Sequence, residues 1–109
     1  MTEAEPNQAE WWIVVLETVS IGDGKRWGVG YEARYEGEFA DIAAAAEALA
    51  WEHRPQHPMR PQDRRVYRVD DRTWLVVVEG RIAIEPFEVR VVQRAPAPVA
   101  ADGSAAVGG

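Results

Sequence analysis

The chain has 109 residues, 47% of them apolar, which suits one domain with a modest core. It contains no cysteine, so disulfides, thiolate nucleophiles and cysteine-based zinc sites are excluded. A net charge of −6 argues against general affinity for nucleic acid or for anionic membrane surfaces.

Residues 1–10 are acidic and polar and hold no apolar signal-peptide core. No apolar run approaches the ~20 residues that span a bilayer, so a cytoplasmic location without membrane partners is expected. Those first residues and the Ala/Pro/Gly-rich tail 95–109 predict disordered ends, since neither buries enough surface to offset its ordering entropy. A single domain is expected over 11–94.

Trp11 to Val19 is a nearly continuous apolar run, the pattern of a strand covered on both faces. Turn chemistry follows at Ile21–Arg26, with Gly22 and Gly24 able to take positive φ. Trp27 to Glu36 alternates, placing Trp27, Val29, Tyr31, Ala33 and Tyr35 on one face. After Gly37 a helix is predicted from about Glu38 to His53, stopped by Pro55. At 3.6 residues per turn, Phe39, Ile42, Ala43, Ala46, Leu49, Ala50 and His53 share its inner face. The outer face carries Ala40, Ala44, Ala48 and Trp51, smooth apolar ground with an indole pointing away from the sheet.

Beyond a proline-rich loop, Arg65–Val69 and Thr73–Val78 form a hairpin through Asp70-Asp71. Gly80-Arg81 suits a type II′ turn into a last strand, Ile82–Val92. Apolar parity slips within that strand: Ile82 and Ile84 are even, Phe87, Val89 and Val91 odd. A bulge at Pro86 would account for it. The order ββαβββ gives an α+β domain, a five-stranded twisted antiparallel sheet with one helix on a face. If the last strand pairs with the first, the strand order is 2-1-5-4-3 and every neighbour is antiparallel.

The pattern Trp12-x-x-x-x-Glu17, Trp27, Leu49-Ala50-x-x-His53-x-Pro55-x-His57-Pro58, then Val66-Tyr67-Arg68 and Trp74-Leu75-Val76-Val77 resembles a family of small actinobacterial proteins with no assigned activity. The likeness covers about residues 11–92. It implies a fold unit and an actinobacterial source, which the single lysine against eleven arginines also fits. It lends no catalytic residue.

His53 and His57 stand four apart, but Pro55 breaks the helix that would align them, and zinc wants three or four protein ligands. Neither a metal nor another cofactor is expected, and His53 reads as a cap of the helix C-terminus. Arg60, Arg64, Arg65 and Arg68 cluster around Tyr67, yet Asp63, Asp70, Asp71 and the acidic whole make ion pairing with acids of the second strand or the helix the better reading than nucleic-acid binding. Gly22-Asp-Gly-Lys lacks Walker spacing and opens no helix. Ser20 and Thr18 have no histidine beside them in sequence, so a catalytic site is not expected.

Trp11, Trp27 and Trp74 are expected in the core. Trp12, Val14 and Leu16 fall on the opposite face of the first strand, and a single helix cannot cover both faces of the sheet. The expectation is a protein-interaction module, a homodimer, with room for another protein as a second partner. Its contact surface is either Trp12, Val14 and Leu16 or Ala44, Ala48 and Trp51. Charge is uneven: residues 1–52 hold eleven acids and three bases, residues 53–94 nine bases and six acids, an asymmetry that either one fold or two packed copies would satisfy. The alternative is a small-molecule binder with an aromatic-lined pocket between sheet and helix, Arg34, His53 or Arg68 orienting an anionic ligand.

Overall fold

The computed structural model describes residues 10–22, 24–57 and 61–98. The expected disordered ends fall on residues that, apart from Glu10 and 95–98, lie outside that range. The elements run β1 (Trp11–Ile21), β2 (Gly24–Tyr35), α1 (Phe39–Glu52), β3 (Pro61–Asp70), β4 (Thr73–Gly80) and β5 (Ile84–Gln93). One sheet forms in the order β2-β1-β5-β4-β3, antiparallel throughout, with α1 lying over β5 and β4 on one face. The order and the α+β class are those the sequence predicts. Among the described residues, no helix is long and apolar enough to cross a membrane.

The core lies between α1 and the sheet. Ile42, Ala46 and Ala50 from the helix meet Ile13 and Val15 of β1, Trp74, Val76 and Val78 of β4, and Phe87, Val89 and Val91 of β5. Three alanine or isoleucine contacts let the helix approach closely, and all seven predicted inner-face residues are at least half-buried. At the helix N-terminal end, Trp11 and Phe39 pack with ring centroids 5.5 Å apart and the Arg72 guanidinium lies over both.

Local details depart from the sequence expectations. Facing Val15 and Leu16, β2 presents Tyr31 and then Val29, so Gly30 is an extra residue and the strand changes phase there. Tyr31, Ala33 and Tyr35 therefore face the helix side, whereas Val29 and Trp27 turn to the other face. Trp27 is 47% exposed and is not a core residue. The bulge expected at Pro86 is absent, because β4 and β5 stay in register from Thr73↔Arg90 to Glu79↔Ile84. Ile84 and Phe87 simply face opposite sides of the sheet. Proline is tolerated because β1 leaves β5 after Leu16↔Glu88, making β5 locally an edge. The β4–β5 turn is also shifted by one: Gly80 N donates to Ala83 O across Arg81-Ile82, and Gly80 does not take positive φ. Gly22 does, at φ 61, in the tight β1–β2 turn.

Candidate functional site

Strand alternation leaves one face of the sheet uncovered among the described residues. The β1 contribution is Trp12, Val14 and Leu16, side by side as the sequence predicts, each half-buried by its neighbours. The register extends this surface to residues the sequence reading missed. Val92 pairs with Trp12, Leu75 and Leu16 flank Glu88, and Val77 pairs with Pro86. Trp27, Val29, Tyr67, Val69 and Ile84 widen the patch to both edges and are 47–63% exposed. The signal was available: Trp74-Leu-Val-Val-Val78 is continuously apolar, like β1, and both runs demand two covered faces. A shallow groove on this side is lined by Trp12, Val14, Glu32, Val92 and Arg94. The Trp12 indole N–H donates to Glu10 Oε2 at 2.9 Å, which fixes the ring beside it. That hydrogen bond holds the Glu10 carboxyl below its ordinary pKa.

Two ion pairs lie on this face, and Arg65 finds its partner on β4 where the sequence suggests the second strand or the helix. Arg65 Nη1 meets Glu79 Oε2 at 2.8 Å, and Arg90 grips Glu88 Oε1 through both Nε and Nη2 at 2.8 Å. The surface is thus apolar and carries both signs, without the acidic excess of the whole chain.

The other predicted set, Ala44, Ala48 and Trp51, is exposed on the outer side of α1, across the molecule from the open sheet face. Trp51 borders a shallow hollow with Pro61, Gln62, Asp63 and Arg64 at the start of β3. Three small or flat side chains make a narrow strip there, much smaller than the sheet surface.

A polar cluster joins the helix end to the far end of β1. His53 Nε2 lies 2.5 Å from Glu17 Oε1, the two side chains 13% and 3% exposed. The Glu17 carboxylate occupies the space a side chain at position 30 would take: a Cβ on Gly30 would lie 2.3 Å from Glu17 Cδ. The His53 ring also meets the Phe87 edge, centroids 5.2 Å apart. His53 is the helix C-cap residue, its backbone N–H donating to Leu49 O, but its imidazole turns to Glu17 and leaves the helix carbonyls to another group. Arg64 serves them from β3, donating to Ala50 O at 2.8 Å and His53 O at 2.6 Å, with its guanidinium over the Phe87 ring. Burial pulls the Arg64 pKa below its ordinary value. Further along, Ser20 N–H donates to Gln56 Oε1 and Ser20 Oγ lies 3.0 Å from His57 Nε2.

Ser20 and His57 do meet in space, although nothing in the sequence places them together. A hydroxyl beside an imidazole is the first half of a nucleophile pair, while Glu17, three residues before Ser20, meets His53 instead. Among the described residues, no group of three or more His, Asp or Glu is placed to hold a metal ion. The ligand candidates are not brought together. Arg34 pairs with Trp12 on the open face of β2, Arg68 pairs with Trp74 on the helix side of β3, and His53 lies between them at the helix end. Those strands are the two edges of the sheet, ~19 Å apart at ordinary strand spacing.

No protein-family model matches the chain, and neither a curated protein nor a solved structure matches it.

Proposed function

We propose that this protein is a small non-catalytic interaction module acting as a homodimer, two copies packing their open sheet faces together as a β-sandwich. The observation that carries the reading is the uncovered face itself: half-buried Trp12, Val14, Leu16 and Val92 on one side and Leu75 and Val77 on the other flank a central Glu88 and Arg90. Two twisted sheets stack face to face at ~10 Å with inner side chains interdigitating, and the apolar side chains of this surface suit such a contact. Its flat footprint, five strands of 8–12 residues, is ~800 Å², of the order of the ~800 Å² each partner buries in a stable complex. A second copy is the favoured occupant because the face carries both signs, so that two copies can set opposite charges together. A strongly basic target would find no acidic excess on this face.

The small-ligand reading has less support. Core side chains at or near zero exposure fill the space between α1 and the sheet, and its candidate residues are spread across the molecule.

Light scattering on a size-exclusion column, over a range of concentrations, tests the proposal. The expected mass is twice 12.2 kDa. Leu16→Glu is expected to give a monomer with unchanged far-UV circular dichroism, because a carboxylate buried without a partner opposes association. A wild-type monomer at every concentration would sink the reading.

A further inference from the structure

We infer that the dimer has a defined register, set by a reciprocal pair in which Glu88 of each copy meets Arg90 of the other; this rests on the open-face homodimer proposed above. Strand order puts β5 in the middle of the sheet, and Glu88 and Arg90 occupy successive positions on its open side. Glu88 stands level with Leu16 on one neighbour and Leu75 on the other, Arg90 level with Val14 and Thr73. The two charges therefore lie at the centre of the apolar surface, where association removes water most completely. Their side chains are 26% and 48% exposed, and both are long enough to reach into a ~10 Å gap between sheets.

Two sheets related face to face by a two-fold axis have that axis in the plane between them, and its direction decides which charges meet. An axis running along β5 sets Glu88 over the partner's Glu88 and Arg90 over the partner's Arg90, burying like charges together. An axis crossing the strands between these two positions sets each over its opposite, closing a ring of two carboxylates and two guanidinium groups. That operation also places Val14 over the partner's Leu16 and Val92 over the partner's Pro86, apolar upon apolar. The strands of the two sheets then run antiparallel across the interface, within the aligned class of sheet packing. A central ion pair adds less to affinity than to orientation, because desolvation offsets much of its attraction.

Swapping the two charges reads this register directly. In the double variant Glu88→Arg/Arg90→Glu each charge still lies over its opposite in the homodimer, so self-association is expected within about threefold of wild type. Mixed with wild type in equal amounts, the swapped chain sets like charges over each other, and the heterodimer is expected to be about tenfold or more weaker than either homodimer. An axis along β5 would give the reverse, a favoured heterodimer. Native mass spectrometry counts the three species, and the homodimer of the swapped chain proves it folded. A wild-type dimer whose swapped variant does not self-associate, or mixes with wild type at or above the statistical share, overturns the register and leaves the open-face dimer standing. A wild-type monomer overturns both.

Discussion

The carboxylate of Glu17 is almost fully buried, and two residues far away in sequence make that possible. His53 supplies its hydrogen-bond partner, and Gly30 supplies the room, standing opposite as the extra residue of a bulge. Gly30 is needed here for space, since its φ is not in the positive region. A methyl group at position 30 would displace the carboxylate and separate it from His53. Leaving a buried charged group without its partner costs several kcal/mol, so Gly30→Ala is expected to destabilise the fold by about 2–4 kcal/mol in urea unfolding. The effect should shrink in a Glu17→Ala background, because the clashing atoms are gone. A double-mutant cycle with no coupling would refute this account. None of it was legible in the sequence. Glu17 reads there as one polar residue in an apolar strand, and a 36-residue separation hides its partner.

At the scale of elements, α1 depends on β3 for its C-terminal cap. The last turn holds no basic residue, and the chain leaves the helix at His53 in extended conformation, so its last carbonyls find no local partner. Arg64 reaches two of them from 11 and 14 residues away. Arg64→Met keeps the apolar stem and removes both donors, which is expected to cost about 1–3 kcal/mol. Hydrogen exchange should then quicken selectively at the amides of the last helical turn. Uniform loss of protection through the sheet would point to a different role. The strands and the helix were readable because periods of 2 and 3.6 survive in the sequence, and Pro55 marks the stop. What misled was phase. The bulge at Gly30 reverses the alternation of β2 without any signal in the apolar pattern, and it moved Trp27 from the expected core to the open face. In β5 the apparent slip at Pro86 is two apolar faces read as one, a strand that needs cover on both sides.

For the whole molecule, the decisive fact is an imbalance: five strands offer two broad faces, and α1 covers one. The sequence shows this through the continuous apolar run of β1 and the single helix, which is how Trp12, Val14 and Leu16 could be picked out in advance. The run 74–78 carries the same signal for Leu75 and Val77, but which residues stand beside them is set by register across distant segments. The two sets of predicted contact residues prove to lie on opposite sides, so one substitution on each side separates them. Trp51 is 54% exposed on a strip of alanines, and Trp51→Glu places a carboxylate in water with little packing lost. It is expected to leave the dimer intact and to shift unfolding free energy by no more than about 0.5 kcal/mol. Leu75→Glu, on β4, puts the same charge at the centre of the open face, next to Glu88. That variant is expected to be monomeric in light scattering while still folded, since the leucine lies on the side of the sheet away from the core. Dissociation by Trp51→Glu, with Leu75→Glu still dimeric, would move the interface to the helix. The balanced charge of the sheet face argues for the first outcome.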